Sequence, residues 1–123
     1  MEINRITEVV ITAAMKVHSA LGPGLLESAY EACLIFEIRK HNLDVKSQLP
    51  LPIVYEGIRI DAGYKIDLLI EETVVVELKT VERILPVHQA QLLSYLRLAN
   101  KRVGLLINFH VARLREGIKR MMN

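Results

Sequence analysis

Hydrophobic residues recur every three or four positions over the first 21 residues of the chain. The stripe consists of Ile3, Ile6, Val10, Ala13, Ala14, Val17 and Leu21. Because positions at this spacing lie on one side of a helix, the pattern predicts an amphipathic helix from about Asn4 to Leu21. Gly22-Pro23-Gly24 ends this helix, since proline lacks a backbone donor and glycine tolerates unusual φ angles.

A second predicted helix follows, from about Leu25 to His41. The residues that suit its buried side are Leu34, Ile35 and Ile38. Basic residues collect at its end, where the helix dipole favours positive charge. These residues are Arg39, Lys40 and His41.

Extended segments are predicted next, over Asp44–Tyr55, Ile58–Ile60, Tyr64–Ile70 and Thr73–Thr80. Pro50 and Pro52 indicate that the first segment is an edge strand or contains a bulge, because proline cannot donate a hydrogen bond within a central sheet. Glu56-Gly57 indicates a turn. Glu71-Glu72 joins the last two strands, most simply as a hairpin.

The last third of the chain begins with a predicted helix, Pro86–Asn100, whose proline lies near the first turn, where its missing N–H costs least. Val103–Phe109 is an almost unbroken apolar run, typical of a strand buried on both faces. Val111–Met122 fits either a short helix or a turn followed by an edge strand. The order ααβββ(β)αβ predicts one α/β or α+β domain over residues 1–123, with a mixed sheet flanked by helices.

The composition excludes several classes of protein. With 51% hydrophobic and 24% charged residues, the chain is not disordered or of low complexity. The single cysteine, Cys33, excludes an internal disulfide framework and a cysteine-based zinc or iron–sulfur site. No apolar run approaches the ~18 residues of a membrane span, and the N-terminus lacks a secretory pattern. We therefore expect a cytoplasmic protein that does not bind membranes.

Charge is unevenly distributed, although the net charge is only +2. Residues 83–123 contain eight basic residues and one acid, a net charge of +7, whereas the first 82 residues carry −5. Such a basic region is typical of a surface that binds a polyanion, and equally of a solvated helix surface. Arg97, Lys101 and Arg102 lie at the end of the predicted third helix, so we expect them to extend a phosphate-binding face.

Acidic side chains interrupt two strands that are otherwise apolar. Glu77 and Lys79 lie on one face of their strand, and Asp67 lies within the strand before it. Ionised groups in such strands need a partner or a metal, because an uncompensated buried charge costs several kcal/mol. Two neighbouring carboxylates suit Mg²⁺ or Mn²⁺, and Lys79 is placed to orient water or stabilise charge on a phosphate. The alternative is a solvated Glu–Lys pair on an edge strand.

Two helices supply further polar candidates. His88, Gln91 and Tyr95 follow the spacing i, i+3, i+7 and therefore share one face, which fits either a specific partner or a boundary with solvent. Glu27 lies in the first turn of the second helix, where the dipole favours an anion. From the residues alone, charge compensation explains Glu27 as well as a functional role does.

The segment Gly24-x-x-Glu27-x-x-Tyr30 resembles the motif that names the GxxExxY proteins, and the resemblance continues to Gly117-Ile118-Lys119-Arg120. These proteins are placed in the PD-(D/E)XK nuclease superfamily, close to its RecB-like and Holliday-junction-resolvase-like branches. The resemblance implies a restriction-endonuclease-like core. It also implies that Glu27 is the helical acid, Asp67 the first strand carboxylate, and Glu77-x-Lys79 the paired acid and lysine.

The resemblance further implies that Gln91-Leu92-Leu93-Ser94-Tyr95 is the QxxxY element of RecB-like nucleases. One departure is that Ile66, rather than proline, precedes Asp67. The expected activity is metal-dependent hydrolysis of phosphodiester bonds in nucleic acid, with DNA expected before RNA. The expected catalytic residues are Glu27, Asp67, Glu77, Lys79, Gln91 and Tyr95.

The expected metal is Mg²⁺ or Mn²⁺, bound by Asp67, Glu77 and the main-chain carbonyl of Leu78, with Glu27 acting through water or at a second ion. The expected nucleic-acid contacts are Tyr30, His88, Arg97, Lys101 and Arg102. A homodimer is compatible with this interpretation.

Two other functions are consistent with the sequence. One is a catalytically silent nuclease-fold module that binds nucleic acid or a protein partner, and the other is a structural homo-oligomer. The presence of every acidic and basic site residue favours the nuclease. The low aromatic content, with four Tyr, two Phe and no Trp, argues against base stacking as the main mode of binding.

Overall fold

A mixed five-stranded sheet lies at the centre of the computed structural model, which describes residues 1–123. The helices are α1 (Ile3–Leu21), α2 (Glu27–Arg39) and α3 (Pro86–Ala99). The strands are β1 (Val45–Pro50), β2 (Ile53–Tyr55), β3 (Ile58–Ile60), β4 (Lys65–Ile70), β5 (Val74–Lys79), β6 (Val103–Asn108) and β7 (Ile118–Met122). None of the helices has both the length and the hydrophobicity that crossing a membrane requires.

The strand order of the main sheet is β1-β4-β5-β6-β7, and β5 and β6 are its parallel pair. Parallel neighbours need a crossover connection, and α3 provides it. Consequently α3 begins near the end of β5 and returns the chain to the start of β6, at the opposite end of the sheet. This direction decides which residues of α3 lie near Lys79.

Two hydrophobic clusters cover the two faces of the sheet. Helices α1 and α2 contribute to the cluster that contains Val74, Val76 and Leu78 of β5. Helix α3 contributes to the other cluster, which contains Val75 of β5. Alternate residues of β5 therefore face opposite sides of the sheet, and Glu77 and Lys79 share the face of Val75. Every residue of β6 is buried, as its apolar run predicts.

Close approach between α3 and the sheet depends on one glycine. A Cβ atom on Gly104 of β6 would lie 2.9 Å from the Leu92 side chain of α3, well inside normal contact distance. Because Gly104 has no side chain, Leu92 packs directly onto the backbone of β6. This contact positions α3, and with it the polar face that carries Gln91 and Tyr95.

The structure confirms the mixed α/β fold and the three predicted helices, whose ends differ from the predicted ones by no more than two residues. The predicted extended segment Asp44–Tyr55 contains two strands, β1 and β2, rather than one. This segment divides at Leu51, whose N–H donates to the carbonyl of Tyr64 (2.8 Å), and at Pro52, which has no N–H to donate. Strand β1 is an edge strand, as its prolines indicated, whereas β2 pairs with β3 in a separate hairpin.

The C-terminal segment adopts the second of its two predicted forms. A short 3₁₀ turn, Leu114–Gly117, leads into β7, which forms the other edge of the main sheet. The main sheet therefore has five strands. The chain contains seven strands, two more than the predicted order ααβββ(β)αβ with its parenthesised strand included, because Asp44–Tyr55 contains both β1 and β2 and because β7 follows β6.

Candidate active site

Asp67 of β4 and Glu77 of β5 are bonded to each other's strand through their side chains. The regular pairing of these strands ends at Leu68 and Val76. Beyond this pair, the Asp67 N–H donates to Glu77 Oε2 (2.8 Å), and the Leu78 N–H donates to Asp67 Oδ2 (2.9 Å). The carboxylates therefore replace main-chain acceptors, and both are held at the same end of the central strands.

Burial and mutual repulsion govern the ionisation of these acids. Glu77 is only 4% exposed. Burial, and secondly the Asp67 carboxylate, raise the pKa of Glu77 to about 8, against the opposing effects of the Asp67 N–H and the Lys79 ammonium. Burial also raises the pKa of Glu27, again with Asp67 as the second cause and Lys79 in opposition. These four side chains therefore lie close enough to perturb one another.

Lys79 is connected to α3 by a chain of hydrogen bonds. Its Nζ donates to Gln91 Oε1 (3.3 Å), and Gln91 Nε2 donates to the Tyr95 hydroxyl (3.2 Å). The pKa of that hydroxyl is raised by burial and then by the Glu77 carboxylate. Gln91 thus restricts the position of the Lys79 ammonium, and Tyr95 restricts Gln91. The two residues of α3 therefore brace the lysine.

The sequence analysis missed Gln48, which lies next to Asp67, and Glu31, to which Gln48 is hydrogen-bonded. Gln48 Nε2 donates to Glu31 Oε1 (2.8 Å) and approaches Asp67 Oδ1 at 3.4 Å. Gln48 lies between Ser47 and Leu49, which pair with the residues on either side of Asp67. Its φ angle is +51°, an unusual value for a residue other than glycine. No local pattern marks Gln48, because its position opposite Asp67 depends on how β1 and β4 pair.

A comparison with protein families matches residues 4–121 to the PD-(D/E)XK nuclease superfamily. The chain belongs to this superfamily. No curated protein and no solved structure gives a match. The five-stranded mixed sheet with helices on both faces is consistent with the superfamily's restriction-endonuclease-like fold. Membership indicates a nuclease that acts on nucleic acid, and members of the superfamily generally use divalent metals such as Mg²⁺.

The donors present fit such a metal in chemistry and in access. Asp67 and Glu77 offer carboxylate oxygens, the ligands that Mg²⁺ prefers. Glu77 Oε2 is occupied by the Asp67 N–H, whereas no hydrogen bond involves Oε1. Since no fully buried side-chain polar atom lacks a partner, Oε1 keeps access to solvent. No group of three or more acidic, His or Cys side chains is placed to hold a metal ion, and the structure brings Asp67 and Glu77 together as a pair of candidate ligands.

The prediction that Tyr30 contacts nucleic acid is wrong. Tyr30 has no exposed surface, and its ring stacks on Phe109 with centroids 4.5 Å apart. Its hydroxyl donates to the Gly22 carbonyl (2.5 Å) and accepts the Leu25 N–H (3.1 Å). Tyr30 therefore closes the turn between α1 and α2. This turn contains Gly24 at φ +101°, a conformation that disfavours other residues, and leads directly to Glu27.

The expected position of Lys101 and Arg102 beside the site is wrong. Lys101 Nζ donates to the carbonyl of Glu72 (2.7 Å), in the turn between β4 and β5. From Glu72 to Glu77 the strand rises about 17 Å. The two basic residues lie at that far end because the crossover direction carries the end of α3 away from the carboxylates.

His88 and Arg97, the two remaining residues that were expected to contact nucleic acid, lie at different places on α3. His88 Nδ1 accepts the Leu85 N–H (2.9 Å), so this ring caps the start of α3. Arg97 is exposed and lines a groove together with Gln91 and Tyr95. Among the three basic residues expected to extend the site, Arg97 is the one that lies beside the chain of hydrogen bonds from Lys79.

Proposed function

We propose that this protein is a metal-dependent nuclease that hydrolyses phosphodiester bonds in nucleic acid, with DNA as the first substrate to test. One observation carries the proposal. Asp67 and Glu77 are fixed side by side through each other's strand, next to a lysine that α3 braces. The two acids do not form an ion pair, because the Asp67 carboxylate repels the charge of Glu77 and raises its pKa. A purely structural role does not explain why two like charges are held together.

Each residue of the proposed site has a distinct role. Asp67, Glu77 and the main-chain carbonyl of Leu78 would hold Mg²⁺ or Mn²⁺, with Glu27 as an outer acid. When bound, the ion supplies a Lewis acid that lowers the pKa of water and neutralises charge on phosphate oxygens. The Lys79 ammonium would donate hydrogen bonds that orient water or stabilise negative charge on the phosphate.

In the proposed reaction, water adds to phosphorus and the bond from phosphorus to one ester oxygen breaks. The products are a phosphate monoester and a free hydroxyl, so no other reactant is consumed. Gln91 and Tyr95 act on this reaction through the position of Lys79, to which the hydrogen-bond chain connects them.

We also propose that the chain is a GxxExxY protein of the RecB-like branch. Gly24 has the positive φ angle that its turn requires, Glu27 begins α2 and Tyr30 closes the turn, which gives each residue of the motif a physical reason. Gln91 and Tyr95 of the QxxxY element are in mutual contact and contact Lys79.

The test is a cleavage assay over labelled linear and structured DNA and RNA, with Mg²⁺, Mn²⁺ or EDTA. We expect cleavage that requires the metal and is lost in Asp67→Asn. The exposed Asp61, which pairs with Arg59 on the hairpin, provides the matched control Asp61→Asn. Cleavage that persists in EDTA or in Asp67→Asn would assign the activity to a contaminant or to a different site.

The second candidate is a catalytically silent module that binds nucleic acid or a protein. The observation that favours it is the burial of Glu77, which raises the pKa of this acid to about 8, so that a metal would have to displace a proton in order to bind it at neutral pH. This candidate predicts binding of nucleic acid or a protein with no cleavage under any metal. The same assay, read together with binding, separates the two functions.

A further inference from the structure

A groove lies along one face of α3, from Gln91 to Leu98. Its volume is about 500 Å³, within the range of small-ligand sites. The groove is bounded by the β2–β3 hairpin through Ile53, and its other lining residues are Tyr64, Gln91, Ser94, Tyr95, Arg97 and Leu98. Because Gln91 and Tyr95 belong both to this groove and to the hydrogen-bond chain from Lys79, the groove adjoins the candidate active site.

The groove combines three kinds of recognition chemistry. Tyr64 offers a ring that is 42% exposed and is held edge-on to Tyr95, with centroids 6.0 Å apart. Gln91 and Ser94 provide an amide and a hydroxyl that can pair with polar edges. Arg97 is the one charged residue of the lining, and no carboxylate lies in the groove to neutralise it.

This set matches the parts of a nucleotide. An aromatic ring stacks on a base of any type, a guanidinium binds a phosphate, and amide and hydroxyl groups bond to the sugar or to the base edge. A base inside a duplex is covered by its neighbours above and below, so it can enter a groove only after it leaves the stack. An unpaired base enters at little cost.

We propose that this groove binds one unpaired nucleotide that adjoins the phosphate at the active site. The proposal rests on the proposed nuclease function and adds a substrate class to it: single strands, overhangs and loops rather than fully paired duplex. Tyr64 stacks on the base, Arg97 binds a flanking phosphate, and Gln91 links the groove to Lys79. One stacked base is compatible with the low aromatic content, since it requires only one exposed tyrosine at the right place.

The experiment measures binding by fluorescence anisotropy in Ca²⁺, with a labelled single strand and a blunt duplex of the same sequence. Tyr64→Ala should weaken binding of the single strand by about tenfold, the scale of one lost stacking contact, and leave duplex binding nearly unchanged. Tyr64→Phe keeps the ring and should bind as the wild type does. The matched control is Tyr55→Ala, which removes a 63% exposed tyrosine of the hairpin that does not line the groove.

A second variant blocks the groove instead of removing its ring. Ser94 is exposed on α3, so Ser94→Trp should be accommodated in the fold and should fill the space. We expect the same selective loss of single-strand binding. Thermal unfolding of each variant establishes that the fold is intact.

Three results would overturn the proposal. Equal losses of affinity for single strand and duplex in Tyr64→Ala would make Tyr64 a general contact. If neither Tyr64→Ala nor Ser94→Trp lowers the affinity, the groove does not bind the strand. A mononucleotide competitor that binds as tightly as the strand would make the groove a site for free nucleotides. The nuclease function is tested separately. If the protein binds the single strand selectively but cleaves no substrate with Mg²⁺ or Mn²⁺, the groove proposal stands and the nuclease proposal fails.

Discussion

Asp67 and Glu77 fix each other: the backbone N–H of Asp67 donates to the Glu77 carboxylate, and the Asp67 carboxylate accepts the N–H of Leu78, the residue after Glu77. Each acid therefore has one oxygen engaged with the neighbouring strand. The second oxygen of each remains free of any backbone partner. Because the fold already fixes both carboxylates, a cation would bind them without having to order their side chains. The same arrangement makes both acids part of the fold, which affects how their substitutions must be interpreted.

The first prediction concerns metal binding. Calorimetric titration with Mn²⁺ should show binding that Asp67→Asn or Glu77→Gln largely abolishes, because each change removes a charged ligand while keeping an oxygen that can accept the cross-strand hydrogen bond. Asp61→Asn, on the exposed hairpin, should bind as the wild type does. Unchanged binding in both site variants would refute a metal centre at this position.

The second prediction concerns pH and stability. Because the pKa of Glu77 rises from 4.5 in the unfolded chain to about 8 in the folded protein, the folded state holds an extra proton between these values. Stability is therefore greatest below about pH 4.5 for this group and falls as pH rises through 8, by roughly a few kcal/mol. Urea unfolding in EDTA at pH 5.5 and 8.5 should show this decrease.

Glu77→Gln provides the control for the pH effect. The variant cannot ionise, so its free energy of unfolding should fall less than that of the wild type over the same interval. The difference between the two proteins isolates Glu77, because histidines and other groups titrate in both. Parallel pH profiles for wild type and Glu77→Gln would show that the Glu77 pKa is ordinary.

The third prediction is that Lys79 acts in the transition state. Its side chain lies on the same strand face as Glu77, two residues on, and Gln91 holds its ammonium. Lys79→Ala should reduce the cleavage rate by about 10²-fold or more, whereas binding of nucleic acid in Ca²⁺ should change much less. Lys65→Ala, an exposed lysine at the start of β4, is the comparison. Equal losses of rate and affinity in Lys79→Ala would make Lys79 an anchor for substrate.

The fourth prediction separates two exposed arginines, Arg97 in the last turn of α3 and Arg102 just before β6. Arg97 lines the groove beside the site, whereas Arg102 follows α3 at the far end of the sheet. If Arg97 contacts a phosphate, Arg97→Ala should reduce the salt dependence of nucleic-acid binding by about one unit of slope. Arg102→Ala should leave the slope unchanged. The reverse result would move the binding face to the far end.

The fifth prediction tests the structural role of Tyr30. Tyr30→Phe removes a buried hydroxyl that bonds to Gly22 and Leu25, so it should lower the free energy of unfolding by about 1–3 kcal/mol. Chemical denaturation measures this loss. Affinity for nucleic acid in Ca²⁺, measured under conditions where the variant is folded, should be retained. If Tyr30→Phe lowers the affinity for nucleic acid without lowering stability, Tyr30 contacts nucleic acid after all.

Local patterns were sufficient for much of the fold. The stripe along α1, the buried run of β6 and the turn at Glu71-Glu72 each depend on residues close together in sequence, and the structure contains all three. The candidate acids also stand out locally, because Asp67 and Glu77 each have apolar neighbours on both sides within their strands. Side-chain periodicity of two and of 3.6 carries this information without any knowledge of which elements meet.

Tertiary structure decided the relationships between elements. The pairing of β1 with β4 places Gln48 beside Asp67, and the packing of α2 buries Tyr30 against Phe109. The direction of the crossover through α3 brings Gln91 to Lys79 and carries Lys101 to the opposite end of the sheet. Sequence spacing cannot predict these positions, because each depends on which strands pair and in which direction, and those choices are made by packing over the whole chain.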